Sequence, residues 1–276
     1  MNQLYKVIGI SKQAVSQYQR SQQGFDAQVC ELIAEAEALR KIHPGCGVEK
    51  MYYCLNPSFL GRDRFIDIMM TVGFRLKKPR NYRRTTYAGK MHYPNLIKGL
   101  KLSAPGMVWQ SDITYLPLGD QFYYAVFIID IYSKKIVGHC LSRTMHARAN
   151  VQTLMKACKR HGSPGIHHSD RGSQYSSHQY TSLLKSQQVA ISMGQKAQEN
   201  AFAERVNRTI KEEYLDCWKA KDYPQLKRHL QAAVTHYNEK RPHNHLNRMS
   251  PVAFERRCTD HTFEKPTITI FDDNNY

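Results

Sequence analysis

Apolar residues recur at helical spacing in the first part of this chain and gather into short β-branched and aromatic runs farther on, and the change divides it. From Ala27 to Ile42 the apolar positions Val29, Leu32, Ile33, Ala36 and Leu39 fall at helical spacing with Glu31, Glu35 and Glu37 between them, which predicts a packing helix. His43-Pro44-Gly45-Cys46-Gly47 breaks it; a second helix is predicted around 48–55, before Asn56-Pro57, and a third over 62–72, ending at Gly73. Ahead of these lies an apolar turn ending in Gly9, then Ser11 as a cap and a polar helix to Tyr18. That is the pattern of a helix-turn-helix, with Lys12, Gln13 and Ser16 as candidate DNA-contacting residues.

Beyond residue 105 runs rich in β-branched and aromatic residues, bounded by short turns, replace the helical spacing. Three strands are predicted at 108–116, 122–131 and 135–141, joined by short turns at Leu118-Gly119-Asp120 and Ser133-Lys134, as in an antiparallel meander. A helix over 147–160, a short strand before Asp170, a helix near 177–188, a strand at 189–193 and a helix carrying Glu204 complete the order β-β-β-α-β-α-β-α. The expected fold class is therefore α/β with a mixed sheet, preceded by small all-α helix-turn-helix modules. Past the core, Leu226, Leu230, Ala233 and Tyr237 share one face of a helix over 224–240, and Thr267 to Phe271 has the composition of an edge strand or a loose tail. The segments expected are 1–24 and 25–74 (helical modules), 75–104 (linker), 105–220 (core) and 221–276 (C-terminal extension).

Charge narrows the partner. Lys+Arg 40 against Asp+Glu 23 leaves +17, which favours a polyanion, and nucleic acid first among polyanions. Arg75 to Lys101 holds nine basic residues and no acid, including Lys77, Lys78, Arg80, Arg83 and Arg84, with Tyr82, Tyr87 and Tyr93 interleaved. Such a stretch suits contacts to a DNA backbone that position without reading sequence. No apolar run approaches the roughly 18 residues of a spanning helix, and the N-terminus has no apolar signal core. Seven scattered cysteines without a C-x-x-C pair fit reduced thiols in a cytosol. His43, Cys46 and Cys54 do not have the spacing of a zinc site and read as core residues.

Three acids carry the candidate chemistry. Asp112 stands in the strand Trp109-Gln110-Ser111-Asp112-Ile113-Thr114-Tyr115, Asp170 follows Ile166-His167-His168-Ser169 and precedes a Gly/Ser turn, and Glu204 stands in Glu199-Asn200-Ala201-Phe202-Ala203-Glu204-Arg205-Val206-Asn207. Phe202, Val206, Ile210 and Tyr214 make one stripe of that helix; Asn200, Glu204, Asn207 and Lys211 fall roughly opposite. The order, the 57 and 33 intervening residues and the wording around each acid closely resemble the DDE core shared by retroviral integrases and bacterial insertion-sequence transposases. Tyr237-Asn238-Glu239-Lys240-Arg241-Pro242-His243 and Met249-Ser250-Pro251-Val252-Ala253-Phe254 resemble the C-terminal signature of the same transposases, and the helices before the core resemble their helix-turn-helix modules.

The resemblance implies a ribonuclease-H-like core, with Asp112, Asp170 and Glu204 as catalytic residues and ligands of two Mg²⁺ ions, Mn²⁺ being able to substitute. It implies 3′-end cleavage and strand transfer on double-stranded DNA, at the terminal inverted repeats of an insertion sequence and at a target. A homodimer or higher homo-oligomer on DNA, a cytoplasmic, nucleoid-associated location and an upstream-frame protein fused by frameshifting are further implications. A ribonuclease-H-like nuclease, or a domesticated DNA-binding protein with a dormant core, are the competing readings. Around the acids, Arg171, Asn200, Asn207, Arg208 and Lys211, with Arg241 farther on, are candidate DNA contacts. Asp130 is expected to be structural, Glu199 fits the motif less well than Glu204, and His167 and His168 are expected to be buried.

Overall fold

The computed structural model describes residues 11–76 and 92–270, and the chain divides into two compact units, Met1–Leu76 and Lys77–Tyr276. In the first, α1 (Lys12–Ile42), α2 (Val48–Leu55) and α3 (Arg62–Thr71) enclose a small core of Leu32, Ala36, Leu39, Cys46, Val48, Met51, Leu60, Phe65 and Met69. Ser11 caps α1, its hydroxyl accepting from the Ala14 N–H at 3.1 Å. The two helices expected on either side of residue 24 are one. A lone mid-helix Gly costs about 1 kcal/mol relative to Ala, too little to break a run of good helix formers. The expected boundary at 24/25 thus falls inside a continuous helix. His43 and Cys46 are buried, and the Cys46 N–H is hydrogen-bonded to the His43 carbonyl.

In the second unit the strands are β1 (Lys101–Leu102), β2 (Val108–Leu118), β3 (Gln121–Asp130), β4 (Ile136–Ser142), β5 (Ile166–Ser169), β6 (Ala190–Met193) and β7 (Ile268–Thr269). The helices are α4 (Ala147–His161), α5 (His178–Ser186), α6 (Ala201–Ile210), α7 (Tyr223–Glu239) and α8 (Pro251–Cys258). The main sheet runs β4-β3-β2-β5-β6, with β2, β3 and β4 antiparallel and β2, β5 and β6 parallel. A three-stranded meander extended by two parallel strands through helical crossovers is the ribonuclease-H-like arrangement.

Both faces of this sheet are covered. Ala125, Phe127 and Ile129 of β3 point to one face and pack with Val206 and Ile210 of α6 and Leu226, Leu230 and Ala233 of α7. Trp109 and Ile128 point to the other, against Leu154 of α4 and Tyr180 and Leu184 of α5. Gly138 lets α4 approach closely, since a Cβ there would stand 3.1 Å from that of Ala157. The segment read as a C-terminal extension therefore contributes to the same cores: α7 covers the sheet, and Phe254 and Cys258 of α8 join Ile97, Leu102, Val108 and Ile131 in a third cluster. An apolar face as long as that of α7 loses about 1.5–3 kcal/mol per large residue left in water, so it folds onto the nearest apolar surface. Asn238 also closes the outer edge of β4, its amide accepting from the Ile136 N–H and donating to the Ile136 carbonyl, both at 2.9 Å. Of the tail, Ile268–Thr269 forms β7, which pairs with β1 in a separate two-stranded sheet.

Candidate active site

Register decides what surrounds Asp112. Residues facing each other across antiparallel strands point to the same side of the sheet, so Asp112 shares the face of its partner Phe127, the face that α6 covers. On the other side of β2 the parallel pairing sets Ser111 beside Ser169, which puts Asp170 just past the end of the strand neighbouring Asp112. Ligands in α/β sheets collect at this carboxyl end of parallel strands.

α6 is bolted to β2 there by polar side chains. Gln110, fully buried, donates to the Glu199 carbonyl at 2.9 Å and accepts from the Ala203 N–H at 2.8 Å. The Asn200 amide donates to the Ser111 carbonyl at 3.4 Å, and the Asn207 amide donates to Asp112 Oδ2 at 2.7 Å. Beneath, the Ser111 and Tyr175 hydroxyls lie 3.0 Å apart, and Ser111 also donates to the Phe127 carbonyl. The consequence is that Glu204 projects from a helix whose first turn is tied to the strand of Asp112.

The three acids feel one another. Burial raises Asp112 well above the usual carboxylate range; the charges of Asp170 and Glu204 push the same way, against hydrogen bonds from the Ile113 N–H and from Asn207. Burial also raises Asp170, opposed by the Gly172 N–H, and raises Glu204, which Arg208 lowers and Asp170 raises again. Among the described residues no three His, Cys, Asp or Glu side chains are grouped closely enough to hold a metal ion. His167 and His168 are buried and held neutral, burial pushing the first down to about 3 and the second to about 4; Tyr180 and Ser192 hydrogen-bond them. Asp130 accepts from the Gly106 N–H, the Ser133 N–H and the Ser133 hydroxyl, a turn-holding role. Glu199 turns its carboxylate to the Gln195 and Lys196 N–H groups.

The remaining sequence candidates separate. Arg208 is exposed and Arg171 and Lys211 are half-buried, all flanking the acids. Asn200 and Asn207 are corrected: they are buried and tie α6 to β2 in place of facing DNA, because their stretch of helix lies against the sheet. Arg241 is corrected too, its guanidinium being buried in a two-pronged pair with Glu213, both bonds 2.8 Å. Lys12, Gln13 and Ser16 are exposed on α1, whereas Lys77, Lys78, Arg80, Arg83 and Arg84 lie outside the described residues. Sequence reasoning assigned nothing to Gln110, Ser111 and Tyr175. The available signal was Gln110-Ser111, two polar residues inside an otherwise apolar strand.

The integrase core domain family matches residues 103–199, and a second family of the same description matches 185–251. The transposase for insertion sequence element IS904 of Lactococcus lactis is 34% identical over 188 residues, covering 65% of this chain and 72% of that protein. The chain belongs to the integrase-core insertion-sequence transposases. The transposase InsF for IS3A of Escherichia coli is 29% identical, covering 67% of each protein. Among solved structures, the HTLV-2 integrase catalytic core domain in complex with magnesium aligns with 55% of this chain and 97% of that one, at 18% identity and a TM-score of 0.48. No helix among the described residues of this transposase is long and apolar enough to cross a membrane.

Gly172 marks how closely the site is built. A Cβ there would stand 2.9 Å from Asp170 Oδ1 and 3.1 Å from Gln174 Oε1. Gly172→Ala is expected to displace the Asp170 carboxylate and, if that carboxylate holds a metal ion, to lower DNA cleavage about 10- to 100-fold, the usual cost of disturbing a ligand's support. Cleavage rates set beside melting temperatures check this; unchanged cleavage would mean that Asp170 has room to move.

Proposed function

We propose that this transposase binds the terminal inverted repeats of its element, cleaves their 3′ ends and joins them to new DNA, with Asp112, Asp170 and Glu204 as the catalytic carboxylates. The observation that carries the reading is that the charges of Asp170 and Glu204 act on Asp112, which stands in β2 just beyond its pairing with β5, with Asp170 just past the end of β5 and Glu204 on α6.

The donor set fits hard divalent ions. All three groups offer carboxylate oxygen, the ligand Mg²⁺ prefers. Asn207 Oδ1, beside Asp112, is a buried acceptor without a hydrogen-bond partner, suited to a water of a hydrated ion. Two Mg²⁺ ions, or Mn²⁺ in their place, would activate the attacking oxygen and stabilise the leaving one. The chain's own residues set the stage: Asn207 orients Asp112 through Oδ2, the Gly172 N–H orients Asp170 through Oδ1 at 3.0 Å, and Gln110 holds the helix that presents Glu204. Arg171, Arg208 and Lys211 supply positive charge for phosphates around the acids. Aligning two ends and a target in one complex gives a 3′ hydroxyl the large effective concentration of an intramolecular reaction, which favours joining over hydrolysis and calls for a homodimer or larger assembly on DNA.

The test is incubation of the protein and Mg²⁺ with a plasmid carrying both element ends, followed by sequencing of the junctions. End-to-end or end-to-target junctions are expected. Nicks alone, with both ends demonstrably bound, would make the protein a nuclease.

A further inference from the structure

Lys134 packs on Phe202, on a flank of α6 that helical phasing separates from Glu204, with two further basic side chains near it. Lys134, in the turn between β3 and β4, has φ +61°, a left-handed conformation uncommon for a long side chain. Its ammonium lies 4.3 Å from the Phe202 ring centroid and donates to the Ile131 carbonyl at 2.7 Å, which uses one of its three N–H groups. Arg205, one helical turn on from Phe202, is exposed and near enough to repel Lys134; His245, exposed on the turn Asn244–Leu246, feels both. Burial brings Lys134 down to about 8, with Asp130 opposing and Arg205 adding. Among the described residues no acid forms an ion pair with any of the three.

Gathering like charges without a partner costs energy, and a polyanion relieves it. We propose that Lys134, Arg205 and His245 bind a phosphodiester group of the DNA strand engaged by the neighbouring carboxylates, an inference that rests on the transposase reading. The cluster adds a phosphate contact that the acid motifs do not contain. Lys134 brings two free N–H groups and Arg205 a planar fork matched to phosphate oxygens, and His245 adds a ring N–H.

The experiment is a gel-shift titration of full-length protein with element-end duplex over a range of salt concentrations. Each lost phosphate contact should flatten the slope of log affinity against log salt by about 0.9. Arg205→Ala, which removes an exposed side chain, should flatten the slope measurably, and Lys134→Ala combined with it, which strips the one phosphate of both cations, should take away about 0.9 in all. Lys134→Arg and Arg205→Lys should restore the slope, which a role confined to packing would not require. Melting temperatures on the same preparations show whether Lys134→Ala is folded; if it is not, Arg205→Ala alone carries the test. A steep wild-type slope left unchanged by Arg205→Ala overturns the inference and leaves the transposase reading standing. A wild-type protein that does not bind duplex at all overturns both.

Discussion

Asp112→Asn, Asp170→Asn and Glu204→Gln are each expected to lower DNA cleavage and joining by about 10³-fold or more while leaving binding of element ends within a few-fold of wild type. Metal ions contribute several kcal/mol of transition-state stabilisation, and each 1.36 kcal/mol is tenfold in rate. The basic groups that meet the backbone remain in all three variants. The structure adds an opposite effect on stability. Asp112 has a folded pKa raised by burial and by its acidic neighbours. Such a group destabilises the fold progressively as pH rises from its unfolded to its folded pKa, and the penalty persists above that. Asp112→Asn should therefore melt at a higher temperature than wild type near neutral pH, with the gain shrinking as pH falls toward the unfolded carboxylate value. Cleavage, gel-shift and melting measurements on the same preparations decide it. Near-normal turnover in any one variant would remove that residue from the catalytic set.

Arg241→Ala is expected to cost about 3–5 kcal/mol of stability, the range seen when one partner of a buried ion pair is removed. The loss corresponds to a fall of about 10 °C in Tm for a unit of this size. Both prongs of the guanidinium meet Glu213 and its plane lies 5.5 Å from the Tyr237 ring, so truncation strands a largely buried carboxylate. Burial alone would lower the Arg241 pKa, and the Glu213 hydrogen bonds and charge more than offset it. Glu213 lies in the wide helical turn Lys211–Leu215 and Arg241 just past the end of α7, so the pair pins the far end of the helix that carries Glu204 to the helix that covers the sheet. Arg241→Met with Glu213→Gln should recover much of the loss, because no buried charge is left unpaired. A residue serving DNA would behave otherwise: its Tm would hold and the salt slope of binding would fall by about 0.9.

These two outcomes separate what local sequence can show from what it cannot. Asp112, Asp170 and Glu204 stood out because each has distinctive neighbours and the three have a characteristic order. The strands of the meander were legible for the same kind of reason, since the β-branched and aromatic residues of Val108–Leu118, the apolar run in Gln121–Asp130 and the turns between them are local signals. Arg241 had no such local signal. A basic residue in a basic chain reads as a DNA contact until a carboxylate 28 positions earlier is seen to meet it.

Sequence by itself singled out the three acids as candidates and determined the elements that carry them, the mixed α/β character and the positive charge, because periodicity, turn chemistry and composition act over a few residues at a time. Tertiary structure alone decided that Lys12–Ile42 is one helix, that residues after 221 cover the catalytic sheet, and that Gln110, Asn200 and Asn207 lock α6 against β2. The physical reason is that a polar side chain has the same local character whether it ends in water or in a hydrogen bond. Its role is settled only when the fold withdraws water from it and leaves a partner, about 90 residues away in the chain, as the group able to satisfy it.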